Sequence, residues 1–568
     1  MSTNKTAKIE QIGGLPIITQ ILLDLKLEEK LDNYFKTHGN WVGAGKGFIV
    51  SVWISYIICT CDHRLSSLED WVGERQKSLE QLFGKKIRIK DFTDDKLGKL
   101  LDEFSDTPTW HEFESDINRS FIRIYGFSDE VIQIDPTIGK SFRKVVEDGL
   151  FQYGHSKHFR KDLPQFKTVL ANLADGSFPL VSMTVSGEQA DDGLYIPIME
   201  VAKKNLDKNG LLWVGDAKIS AIGTRAYIVK NKDYYLSPLS KVQVPQDVLR
   251  EEYVQPILAD KVELEIIKRQ DEIIAKGYEK QVKQSFEGQE WEERHLVICS
   301  QQYAEAQKRG LNKRLKKAQE EILALNTRKQ GKKTYSTEEA LQKAVGDIQK
   351  KHKVEELLDV AFNIQYEENR IRAYKGKSAR IEKKLCYKLE VQVNEKALEY
   401  KVSTLGWRVY VTNKELDKLS LEQAVVMYRE EYKIERRIRN LKEEVTRLLP
   451  VFLKKENRIE GLINLLILVL KMIAAIEFKV AKELEERGEE LGGLYAGNPK
   501  ITTPRPTISK MMNAFSSFAI VFIIQGDSAS EIMIPDLKTT QLEIIDLLGF
   551  DIKLFTKLKP KMLIQFSQ

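Results

Sequence analysis

Apolar residues recur at helical spacing through the first 129 positions. Gly13–Leu31 and Phe48–Ile58 carry apolar faces, and Ser66–Val72 and Lys77–Phe83 read as further helical turns. Asp91–Phe104 begins with polar and acidic residues suited to a helix start, then shows Leu97, Leu100 and Leu101. At residue 130 the pattern changes to short β-branched runs bounded by turn residues. Glu130–Asp135 predicts a strand ending in an aspartate, with Pro136–Gly139 breaking it. Phe166–Leu173 and Leu180–Val185 predict two more strands, joined by the turn Ala174-Asp175-Gly176-Ser177. A helix at Tyr195–Lys204, a strand at Leu211–Val214 running through Gly215 into Asp216, a short helix at Lys218–Val229 and a strand at Tyr234–Leu236 follow.

The resulting order, β-β-β-α-β-α-β, is that of an α/β ribonuclease-H-like core. In that topology the first and fourth strands are neighbours, so Asp135 and Asp216 converge at one sheet edge. Residues 241–404 read as an insertion after the fifth strand, with charged helices at Tyr303–Leu325 and Thr337–His352 and strand-like runs at Leu358–Tyr366 and Tyr387–Val393. Their Lys-rich faces fit either solvated surface or DNA contact. Trp407–Val411 predicts one more strand, Leu419–Leu449 a single helix, and Asn457–Phe478 a strongly apolar helix packing behind it. The tail mixes a charged helix, a loop with Pro504 and Pro506, and a strand candidate at Phe518–Ile524. The expected segments are a helical, DNA-end-binding region at 1–129, the first part of the core at 130–240, the insertion at 241–404, the completion of the core at 405–478, and a candidate dimerisation region at 479–568.

Composition narrows the class. A chain of 568 residues with 42% hydrophobic and 30% charged residues is globular and has several domains. The net charge of +6 permits an anionic partner, with Lys and Arg concentrated around 140–170, 305–355 and 370–385. Four cysteines argue against a disulfide framework and fit a reducing cytoplasm. Cys59, Cys61 and His63 have no second ligand pair at metal-site spacing. The polar start carries no signal-peptide pattern, and the apolar run Leu462–Ala475 falls short of the roughly 20 residues a bilayer span needs, so no membrane association is expected.

Candidate chemistry centres on Tyr428–Lys442. On a continuous helix at about 100° per residue, Tyr428, Glu435 and Lys442 fall within roughly 40° of each other, beside a separate apolar stripe. With Asp135 and Asp216, Glu435 forms a set of three carboxylates suited to two-metal phosphoryl transfer, in which oxygen ligands take Mg²⁺ or Mn²⁺. Plainer readings stand beside this one: a strand-end turn for Asp135, a helix N-cap for Asp216, and a solvated amphipathic face for Glu435. The chain has no G-x-x-x-x-G-K-[ST] loop, no G-x-S-x-G elbow and no H-E-x-x-H helix. His155 and His158 lie in a basic loop.

These residues resemble the DDE transposases of bacterial insertion sequences, in the branch with a Y-(2)-R-(3)-E-(6)-K signature. Tyr428, Glu435 and Lys442 match its Tyr, Glu and Lys, while Glu431 stands at the Arg position. IDPT (Ile134–Thr137), YGHSKHFRKDLPQ (Tyr153–Gln165), VGDAKIS (Val214–Ser220) and PVFLKKENRIEG (Pro450–Gly461) are similar to the family's other motifs, in order. The resemblance covers roughly 130–475, and the stretches after Gly13 and Asp91 are similar to the N-terminal region of one subgroup. It implies Asp135, Asp216 and Glu435 as ligands of two Mg²⁺ (or Mn²⁺) ions. It implies Tyr428, Lys442, Lys157 and Arg160 on DNA, with Trp407 either stacking on a displaced base or packed in the core. The implied activity is cleavage at terminal inverted repeats and strand transfer to target DNA, by a homodimer in the bacterial cytoplasm at the nucleoid. The alternative is a ribonuclease-H-like nuclease or retired transposase that binds DNA without the full reaction.

Overall fold

The computed structural model describes residues 5–155, 160–269, 271–327, 335, 337–371, 378–498, 500–525 and 528–556. The chain forms two compact units, Met1–Ser237 with Met427–Gln568, and Pro238–Val426.

The first unit starts with a strand that the helical patterning hides, β1 (Lys5–Gln11). Helices follow at Leu15–Asp24, Leu27–Tyr34, Lys46–Thr60, Leu68–Glu74, Gln76–Phe83, Asp94–Phe104 and Thr107–Tyr125. The single helix expected at Gly13–Leu31 is split where Lys26 takes a left-handed conformation, φ 51°. The sheet is built from β2 (Val131–Lys140), β3 (Gln165–Leu173), β4 (Phe178–Ser186), β5 (Leu212–Gly215) and β6 (Tyr234–Pro238). Their spatial order is β4-β3-β2-β5-β6. β3 runs antiparallel to β2 and β4, and β5 runs parallel to β2 and β6.

Pro136 does not end β2 as expected. The strand continues through it and pairs with β3 as far as Lys140↔Gln165. On its other side the pairing with β5 stops at Ile134↔Gly215. Beyond that rung β2 has a free edge, where a missing N–H costs no ladder bond.

The second unit contains β7 (Glu265–Arg269), β8 (Glu272–Phe286), β9 (Gln289–Cys299), the hairpin β10 (Leu358–Ile371) and β11 (Arg380–Val393), and β12 (Trp407–Thr412). β12, β9, β8 and β7 are antiparallel neighbours in that order. The β8–β9 hairpin was legible but unread. Glu287 and Gly288, both at positive φ (48° and 82°), form the two-residue turn such hairpins favour. The charged helices Gln301–Leu323 and Glu338–His352 are amphipathic, burying Leu311, Leu315, Ile322, Leu341 and Val345 against Leu358 and Leu389 of the hairpin.

The helix expected at Leu419–Leu449 is three pieces. Leu421–Arg429 ends in tight turns, with Glu430 and Glu431 N–H bonded to the Met427 and Tyr428 carbonyls. A new helix, Tyr432–Arg439, begins at Glu431, and the chain then widens into a π turn at Asn440–Glu444. Two buried contacts accompany the breaks. Arg437 is buried and anchored to Glu477 at 3.3 Å, and the Thr446 hydroxyl donates to the Leu441 carbonyl (2.7 Å).

Behind this region runs the central helix, Glu456–Arg487, longer than the Asn457–Phe478 expected. It is long and apolar enough to cross a membrane by composition, and 89% of its most apolar stretch is buried inside the protein. It packs against Asp94–Phe104, Lys46–Thr60, Thr107–Tyr125 and β4. Gly461 permits the closest of these approaches, since a Cβ there would lie 2.1 Å from the Leu101 carbonyl oxygen. Near the C-terminus β13 (Ala519–Gln525) pairs with β1 and with β14 (Ser528–Met533).

Lys471, mid-way along the central helix, is fully buried. Its ammonium meets Glu114 at 2.9 Å and donates to Asn118 Oδ1 (2.8 Å) and the Leu180 carbonyl (2.7 Å). Burial pushes its pKa below the ordinary lysine value, and the Glu114 charge opposes that shift. Glu114→Gln leaves the ammonium without its countercharge and is expected to destabilise the protein by about 3–5 kcal/mol. Adding Lys471→Met recovers much of that loss. Denaturant titration of the two single variants and the double variant checks both outcomes.

Candidate active site

The parallel register of β2 and β5 decides where the two aspartates lie. Its last rung is Ile134↔Gly215, so the next residues, Asp135 within β2 and Asp216 just past β5, follow it side by side. Neighbouring strands are about 4.8 Å apart. Gly215 is required for this approach, because a Cβ there would sit 2.9 Å from the Ile134 carbonyl oxygen and 2.5 Å from Ile219 Cδ1. Both aspartates are half-buried.

Tyr195, at the start of the helix Tyr195–Leu206, is fully buried and donates its hydroxyl proton to Asp216 Oδ1 at 2.7 Å. The Lys218 backbone N–H donates to the same oxygen at 2.9 Å. The Tyr195 phenol is held far above its ordinary pKa, first by burial and then by the charges of Asp216, Asp135 and Asp191. It therefore stays a donor, and its surroundings are strongly negative. Two lysines flank this field. Lys218 pairs with Asp192 at 2.6 Å, and the buried Lys167 pairs with Asp191 at 2.7 Å.

Sequence patterning did not single out Tyr195, whose apolar helix-start context looks like core. Gln133 was missed for the same reason. Strand alternation puts it on the same face of β2 as Asp135. It is buried, and neither atom of its amide has a hydrogen-bond partner.

Glu435 lies on Tyr432–Arg439, which packs against β2, and its side chain is exposed. Among the described residues no group of three His, Cys, Asp or Glu is arranged to hold a metal ion, so the three carboxylates are not gathered into one. The aspartate pair supplies the hard oxygen donors that Mg²⁺ and Mn²⁺ take. The Tyr428, Glu435 and Lys442 alignment expected of one continuous helix does not form, because the helix breaks between the first two and turns to π geometry at the third. Tyr428 is buried and Lys442 half-buried. Glu431 occupies the N-cap position of the new helix without a side-chain capping hydrogen bond, at an end where a negative charge is favoured.

Trp407, in the second unit, packs partly buried against the cluster of Tyr253, Tyr278, Val297 and Val409. Arg160 is exposed and pairs with Asp162 at 2.7 Å. Lys157 and His158 lie outside the described residues.

Residues 7–115 match the model of a family described as a domain of unknown function, DUF4277. No curated protein matches the chain. Among solved structures, the chain is similar to that in the cryo-EM structure of the piggyBac transposase synaptic complex with hairpin DNA. The two are 9% identical with a TM-score of 0.33, over 97% of this chain and 83% of that one.

Gly215→Ala forces the ends of β2 and β5 apart and is expected to cost about 1–3 kcal/mol. Thermal unfolding of the variant against the parent protein measures the loss.

Proposed function

We propose that this protein is a DDE transposase with a ribonuclease-H-like core, which cleaves DNA at the ends of an insertion sequence and joins the freed 3′ hydroxyl to target DNA. One observation carries the reading: the parallel register that sets Asp135 beside Asp216, among strands β2–β6 whose order and directions are those of that core. The ordered motifs around Asp135, Asp216 and Glu435 add to it.

In this reading Asp135, Asp216 and Glu435 hold two Mg²⁺ ions, with Glu435 joining the aspartates when DNA and metal are both present. Such ions, when bound, activate the attacking oxygen and stabilise charge on the phosphate. Tyr195 and the Lys218 N–H orient the Asp216 carboxylate. Gln133, buried beside Asp135 with an unpartnered amide, is a candidate to orient it. Lys442 and Arg160 contact DNA phosphates. Two DNA ends require two copies of the chain, so the working species is a homodimer.

The test uses plasmid DNA carrying the element's terminal inverted repeats, with Mg²⁺. Asp135→Asn, Asp216→Asn and Glu435→Gln are each expected to lower end cleavage by about 100-fold or more, while retention on the same DNA in a gel-shift assay is kept. Wild-type cleavage by all three variants rejects the assignment. Loss by the aspartate variants alone assigns the chemistry to the Asp135–Asp216 pair and removes Glu435.

A further inference from the structure

A cavity of about 400 Å³ lies between Tyr432–Arg439, the central helix and the β3–β4 turn. Five cationic side chains line it: Lys433, Arg436, Arg437, Lys482 and Arg505. The three carboxylates along its wall are Asp175, Glu477 and Glu485. Asp175 already accepts from the Ser128 N–H at 3.0 Å. Glu477 is shared among Arg436 (3.4 Å), Arg437 (3.3 Å) and the Ile508 N–H (2.9 Å). One carboxylate thus serves two guanidinium groups, and the cavity keeps an excess of positive charge.

Arg437 makes this a built site. It is buried, with Nη2 donating to the Gly176 carbonyl at 3.2 Å. Its Nε and Nη1 are buried without any acceptor. A guanidinium is always charged and has five N–H groups to satisfy. Aromatic surface lies beside the cations. Tyr432 exposes its ring and accepts from Arg505 Nη1 at 3.3 Å, and Lys482 Nζ lies 5.8 Å from the centre of the Phe478 ring. Paired guanidiniums suit the oxygens of a phosphate, and an exposed aromatic ring suits a base. The volume falls in the range of small-ligand sites.

We propose that this cavity binds the phosphate ester of a nucleotide. The phosphate lies against Arg436, Arg437 and Lys482, and the base lies on Tyr432. The nucleotide is either free or the 5′-phosphorylated end of a DNA strand. The inference does not rest on the acidic pair at Asp135 and Asp216.

The test measures binding to the full-length protein without divalent metal, so that it reads this cavity separately from cleavage. The probes are AMP, by calorimetry, and two labelled DNA duplexes differing only in a 5′-phosphate or 5′-hydroxyl end, by fluorescence anisotropy. The variant is Arg436→Gln with Lys482→Gln, which spares the buried Arg437, and its thermal unfolding is measured to confirm that it folds. Saturable AMP binding weakened at least tenfold in the variant supports the site with a free nucleotide. A preference for the 5′-phosphorylated duplex that the variant loses supports it with a DNA end. Absent AMP binding together with equal affinity for the two duplexes overturns the proposal. So does wild-type affinity in a folded variant. Lys482→Arg alone retains binding.

Discussion

A lysine ammonium at the centre of an apolar helix is stable only where other groups converge on it, and Lys471 has three: Glu114, Asn118 and the Leu180 carbonyl. Two come from the helix Thr107–Tyr125 and one from β4. The pair therefore fixes the N-terminal helices, the central helix and the β2–β6 strands in one register, which apolar packing specifies less sharply. Six residues further on, about 9 Å along the helix axis, Glu477 binds Arg436 and Arg437 and holds Tyr432–Arg439 beside the sheet. Two charged residues on one helix thus place both the helical segment before the sheet and the helix that carries Glu435.

The acidic site depends on backbone as much as on side chains. Asp135 and Asp216 are 81 positions apart in sequence and meet because β2 and β5 run parallel and both residues follow the last rung of their pairing. Gly215 lets the two backbones approach, and Pro136 marks where β2 loses its second neighbour. Tyr195 then adds a donor that burial, and then the neighbouring carboxylates, keep protonated. The acidic pair thus has a phenol behind it, and Glu435 stays exposed on a separate element.

The core's strand order was legible because each strand is a short apolar run closed by turn residues, as at Ala174–Ser177. β1 was not, because its seven residues pair with β13, more than 500 positions away, and alternation over so short a run is a weak signal. The β8–β9 hairpin was unread because its strands are rich in charge, although Glu287-Gly288 marked the turn. The helix around Glu435 misled for a different reason. Its residues favour helix throughout, while Arg437 is tied to Glu477, 40 positions away, and Thr446 bonds back to the Leu441 carbonyl where the helix widens.

By itself the sequence determined the core strands and their order along the chain, the position of Asp216 just past β5, and the apolar character of the central helix. These follow from local periodicity and turn chemistry, which act over a few residues. Only the tertiary structure decided that Tyr195 bonds Asp216, that Gln133 is buried beside Asp135 without a partner, that the Glu435 helix is broken on both sides, and that Arg437 closes a cationic cavity. Each of these depends on a contact between elements far apart in the chain. Such contacts are set by packing and by the need to satisfy buried polar groups, and no local pattern records them.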